Sequence, residues 1–164
     1  MARRSIAVIL ALSTVSLPAS AEDLMATHRI PAALAAQAVL EAVSACARQG
    51  YAETAVLTDA DGVRQAVLRG DRAGRHTLDS AYAKAYTAAS FKADTSTLVE
   101  RSKSVPGFGA LFTQLPHLIL FGGGIVIKRG DEVLGAIGAS GAPGGNLDDG
   151  CAKAGLDKIN DRLK

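Results

Sequence analysis

Two β-prone runs, Thr54 to Thr58 and Val63 to Arg69, are separated only by Asp59-Ala60-Asp61-Gly62. A link that short cannot carry a chain over to a parallel neighbour, which takes a crossover of a dozen or more residues, whereas Asp and Gly suit a hairpin turn. The same reasoning applies near the C-terminus, where "LILF", "IVIK" and "EVLGAIGAS" read as three strands with Gly122 to Gly124 and Arg129-Gly130-Asp131 as their turns. Five strands with hairpin-length connections, interrupted and bracketed by helices, predict an α+β fold: a five-stranded antiparallel sheet with flanking helices, not a doubly wound parallel one.

The helices follow from 3.6-residue spacing. Over Pro31 to Gln49, Leu34, Ala35, Ala38, Val39, Ala42 and Cys46 share one face, with Pro31 suited to the first turn and Gly50 to the stop. In "HTLDSAYAKAYTAASF", Thr77 is placed to cap and Asp79 to sit in the first turn. Leu78, Ala81, Tyr82, Ala85 and Ala88 face one way, and Ser80, Lys84 and Thr87 form a polar stripe beside them. A shorter helix starts near Asp94 or Thr95, Ser102 to His117 is the least regular stretch, and Asn146 to Leu163 is helical.

The first 21 residues, "MARRSIAVILALSTVSLPASA", place Arg3 and Arg4 before an apolar run from Ile6 to Leu17 and end on Ala19 and Ala21. This is the pattern of a secretory signal peptide, and its apolar run is too short to span a bilayer comfortably. Residues 22–164 then form one domain, expected in the periplasm or the medium. The precursor's net charge of +2 resides in the leader, which holds two Arg and no acid. A neutral mature chain argues against nucleic acid and against electrostatic attachment to a membrane, and no insertion is expected after cleavage.

Two cysteines, Cys46 and Cys151, remain in a chain bound for an oxidising compartment. From the residues alone, a disulfide and two buried thiols are both open. The glycine-rich "GASGAPGGN" precedes the last helix, but Gly144 and Gly145 lead into Asn146 and Leu147, not the Lys-Ser/Thr of a phosphate loop. A dinucleotide fingerprint would belong on the first strand of a parallel unit, and this turn closes the chain. A structural turn is the expectation, with the amides at residues 144–147 as the alternative, an anion site. Ser80 and Lys84 lie one turn apart without the companion motifs of a Ser/Lys hydrolase, so no catalytic residue is assigned. No acidic residue stands three positions before a Glu, and no H-E-x-x-H or C-x-x-C pattern is present.

The strings "LRGDRAGRHTLDSAYAKAYTAASF", "GGGIVIKRGDEVLGAIG" and "GAIGASGAPGGNLDDGCAKAGLDKI" resemble the GlcG/HbpS family, the haem-binding-protein-like domains also found at the C-terminus of PduO-type cobalamin adenosyltransferases. The resemblance covers the whole mature chain. It implies a profilin-like sheet, homo-oligomers, and haem or a related macrocycle as ligand, in a carrier, scavenger or accessory to an exported or membrane sensor protein. It also implies that the first and last helices lie close, which favours a Cys46–Cys151 disulfide. Haem iron takes axial imidazole. Of the three histidines, His28 and His76, each just before or at a helix start, are the expected ligands, and His117 reads as a loop or strand-edge residue. Lys84 and Thr87 occupy the family's K-A-x-T-A motif and are the expected partners of a ligand carboxylate. The alternative is a small enzyme or effector module for a glycolate-like carboxylate, held by Lys84 and the amides of residues 144–147.

Overall fold

A computed structural model of the chain describes residues 26–163, so the expected leader over 1–21 lies outside the described residues. The order is α1 (Ala32–Arg48), β1 (Thr54–Asp59), β2 (Arg64–Arg69), α2 (His76–Phe91), α3 (Thr95–Ser104), a single 3-10 turn (Phe108–Ala110), α4 (Leu111–Gln114), β3 (Gly124–Arg129), β4 (Glu132–Ser140) and α5 (Gly145–Asn160). The strands form one antiparallel sheet in the order β2-β1-β4-β3. Among the described residues no helix is long and apolar enough to cross a membrane.

The sheet has four strands, not five: "LILF" is not a strand. Its backbone is claimed from elsewhere. The Ile119 amide donates to Thr87 Oγ1 on α2 (3.0 Å), leaving the run without a ladder partner. The chain turns at once into β3 through Gly123, whose φ of 116° suits glycine alone, and whose carbonyl accepts from the Ala139 amide. Helix α2 starts two residues earlier than a Thr77 cap would require, at His76. The Thr77 hydroxyl donates to Gly74 O (2.6 Å) and meets Thr54 Oγ1 (2.6 Å), tying the helix to the start of β1.

Alternation along the strands sorts the layers. Ala55, Leu57, Ile137 and Ala139 face α1 and α5, where they join Ala38, Ala42, Cys46, Cys151 and Ile159 in the main core. On the opposite face Gly138 lies under α2, against Ala81 and Ala85. This explains the Ala-rich face of α2: only small residues let a helix approach a strand so closely. A Cβ at Gly138 would stand 2.6 Å from the Ala85 amide nitrogen, backbone that cannot step aside. Gly138→Ala is therefore expected to lower stability by about 1–3 kcal/mol, the usual cost of overpacking, and a denaturant midpoint unchanged from wild type would refute that contact.

Cys46 on the last turns of α1 and Cys151 in α5 are joined by a disulfide with a Cα separation of 5.5 Å. It fastens the two helices of one layer to each other, and both cysteines are fully buried.

Candidate functional site

Two groups of chemically active side chains flank α2. The first is buried. Lys84 reaches through to the N-terminal turn of α5, where its Nζ donates to Asp148 Oδ2 (2.5 Å) and to the Ala139 carbonyl (3.0 Å), and both side chains are only 2% exposed. Asp148 also accepts from the Ala142 amide (3.0 Å), which fixes the glycine-rich turn over 141–144. The neighbouring Asp149 accepts from the Gly123 amide (2.5 Å), and burial raises its pKa in spite of that bond. Beside Asp148 lies Glu53, the residue before β1. It is 1% exposed, and neither carboxyl oxygen has a partner of hydrogen-bond geometry. Burial, reinforced by the adjacent Asp148 carboxylate, pushes its pKa up to about 8, so the carboxyl keeps its proton at neutral pH.

The second group is at the surface. Tyr82 and Tyr86 are one turn apart on α2, and His117 meets both, with ring centroids 5.6 and 5.9 Å away. The Arg64 guanidinium lies 3.4 Å from the Tyr82 ring centroid. His117 is held at φ 64°, a left-handed conformation uncommon outside glycine. Next to it opens an apolar groove of about 250 Å³ lined by Tyr86, Ser90, Phe91, Leu115, Pro116 and Leu118. Its Phe91 wall is backed by a stack with Phe112 at 5.1 Å, with Phe108 edge-on to both. Flat aromatic and aliphatic walls beside an exposed imidazole suit a planar, largely apolar ligand with a metal-binding centre.

The two histidines expected as iron ligands, His28 or His76, lie in separate surroundings. The His28 amide and Nδ1 bond the Glu132 carboxylate at the start of β4 (2.9 and 2.9 Å), with Arg129 alongside, and these bonds, the backbone one first, hold Glu132 below the usual carboxylate range. His76 is exposed at the start of α2, at the other end of β4, where the Ser80 hydroxyl donates to His76 O (3.2 Å) and meets Ser140 Oγ (2.7 Å). Eight steps of strand put the two ends roughly 27 Å apart, so the two imidazoles are separate candidates within one subunit. The polar stripe of α2 is largely buried: Thr87 is committed to Ile119, and Lys84 already has a carboxylate of its own. The alternative carboxylate site loses its cation in this way. Ser80 and Lys84 have separate partners and form no nucleophile–base pair.

Sequence reasoning passed over Asp148 and Glu53 and gave His117 a bland role. For Asp148 a signal existed, since a lysine among alanines on a sheet-facing helix requires a buried counter-charge. For His117 none did, because the tyrosines it meets and one wall of the groove come from α2.

The model of the family described as "Haem degrading protein HbpS-like" matches residues 30–157. A crystal structure of a double mutant of HbpS from Streptomyces reticuli is 31% identical, with a TM-score of 0.75, and the match covers 88% of this chain and 97% of that one. A structure of HbpS is 30% identical over 86% of this chain and 97% of that one, with a TM-score of 0.76. A PduOC:haem complex shares the fold at 22% identity and a TM-score of 0.73, covering 81% of this chain and 96% of that one. No curated protein matches the chain. With the matched segment running from the residue before Pro31 into the last helix, and with two HbpS structures similar over nearly their whole lengths, the chain belongs to the HbpS-like family.

Proposed function

We propose that this protein binds haem or a closely related macrocycle at the groove beside His117, as an exported carrier, scavenger or sensor accessory in the periplasm or the medium. Membership of a haem-degrading family and the haem of the PduOC complex support haem in general. The observation that carries the site is an exposed imidazole packed on Tyr82 and Tyr86 whose chain neighbours, Pro116 and Leu118, line an apolar groove together with Tyr86, a setting that neither His28 nor His76 has. The residues fit the group. His117 would hold the iron through an imidazole nitrogen, Tyr86, Phe91 and Leu118 would supply apolar walls, and Ser90 in the groove and Arg64 on Tyr82 would be the polar groups at hand for carboxylates. When bound, haem contributes a redox-active iron. The chain's own part is to orient the ring on the tyrosine pair and to keep water from its buried edge.

Haemin titration of the protein, followed in the Soret region, is expected to show a saturable shift that His117→Ala removes and that His28→Ala and His76→Ala leave in place. Loss only in the His28 or His76 variant would move the site, and a wild-type shift no different from that of an unrelated apolar protein would remove the function. Small 2-hydroxy and 2-oxo acids are expected to leave the thermal midpoint unchanged, because the Lys84 ammonium is already paired.

A further inference from the structure

We infer that reduction of the Cys46–Cys151 disulfide turns the space between α1, α5 and the start of β1 into a metal site, in which Cys46, Cys151 and Glu53 hold one thiophilic divalent cation of the zinc type. Three observations converge. The two Sγ atoms and a Glu53 carboxylate oxygen all lie within 4.8 Å of one another, and all three residues are buried. With Zn–S near about 2.3 Å and a tetrahedral angle, two thiolates stand roughly 3.7 Å apart, so the sulfurs bonded in the disulfide must part on reduction while the Glu53 oxygen already lies within ligand-to-ligand reach. Second, Glu53 is a fully buried acid whose oxygens make no hydrogen bond of full geometry, with only Asp148 and the Ala142 amide close by, a group whose presence calls for an explanation. The nearest cation, Lys84, is taken by Asp148. Third, Glu53 forms part of the wall of a cavity of about 710 Å³ that opens past Ser44, Tyr51, Arg69 and Arg72, so this cavity approaches the cluster from its Glu53 side.

The chemistry balances with an external dithiol as reductant. The dithiol gives two electrons and two protons and closes to its own disulfide, while the Cys46–Cys151 bond opens to two thiols. Binding of the cation then releases three protons, two from the thiols and one from the Glu53 carboxyl. Two thiolates and one carboxylate surround the ion, and the fourth position is left for water. The disulfide and the metal are therefore mutually exclusive, and the same pair of sulfurs reads the redox state of the compartment.

The test uses the full chain, unfolded, reduced with a trialkylphosphine, refolded under it and titrated with Co²⁺, with Zn²⁺ added afterwards. A thiolate-to-cobalt charge-transfer band is expected to saturate at one ion per chain and to vanish on adding Zn²⁺. The disulfide form is expected to give no band. Glu53→Gln is expected to weaken binding by at least about tenfold, since even a group that only supports a metal ligand is worth roughly 10–100-fold. No saturable band in the reduced protein would overturn the inference. So would a Glu53→Gln variant with unchanged affinity, since that is what two thiols on a loosened or unfolded chain would give.

Discussion

Lys84→Met is expected to cost about 3–5 kcal/mol, the largest loss from any single substitution of a non-cysteine residue considered in this chain. The reason is what remains behind. The Lys84–Asp148 pair is fully buried, and removing the ammonium leaves the Asp148 carboxylate desolvated beside Glu53, an acid that already resists ionising. Breaking a buried pair from one side carries a cost of about this size, because the survivor keeps its burial and loses its compensation. The Ala139 carbonyl loses its donor as well, and Asp148 can no longer hold the Ala142 amide as firmly, so the 141–144 turn is expected to loosen with it. The double substitution Lys84→Met with Asp148→Leu takes out both charges and is expected to recover a large part of the loss. Urea unfolding of the three proteins measures this. A single variant within about 1 kcal/mol of wild type, well below the cost of an uncompensated buried charge, would show that water reaches the pair.

The second large effect is a pH dependence with an unusual direction. Glu53 ionises near 4.5 in an unfolded chain and near 8 in the folded one. Its raised value means that the folded state holds the extra proton between these two limits. The stability this provides is complete below 4.5 and is lost progressively as pH rises through 8, at up to about 1.4 kcal/mol per pH unit. Wild type is therefore expected to lose a few kcal/mol on going from pH 5 to pH 9 (about 1.4 per unit at most). Glu53→Gln keeps the shape of the neutral acid and has no proton to lose. It is expected to match wild type near pH 5, to exceed it by a few kcal/mol at pH 9, and to show a flat profile between. Parallel profiles for the two proteins would mean that Glu53 is already ionised or solvated in the fold. The haem groove is remote in kind from this buried cluster, so neither substitution is expected to alter a haemin titration at a pH where the protein is folded.

The disposition of elements was legible along the chain because it depends on local terms. Turn residues between Thr58 and Val63 and between Lys128 and Glu132 dictated hairpins, and apolar spacing over Pro31 to Gln49 dictated a helix. The same local terms misassigned "LILF", where a run with strand composition gave its Ile119 amide to a helix threonine and formed no ladder. Propensity reports how a segment fits a pleated surface, and it does not report whether a neighbour is there to pair with it.

The site divides along a similar line. Lys84 and Thr87 stood out as polar residues on an Ala-rich helix, but their burial could not be read from that helix alone. That depends on α5 bringing Asp148 to one and on the 117–121 segment bringing Ile119 to the other. His28 and His76 looked equivalent because each lies at the entrance to a helix, and only the length of β4 separates them. What the sequence by itself determined is the set of short-range geometries: the hairpins, the helix faces, the Ala and Gly positions that permit close layers. Tertiary structure alone decided which charges are paired, that Glu53 is left without a partner beside Cys46 and Cys151, and that His117 rather than another histidine meets an aromatic surface. Those are contacts between residues tens of positions apart, and no local period carries information about them.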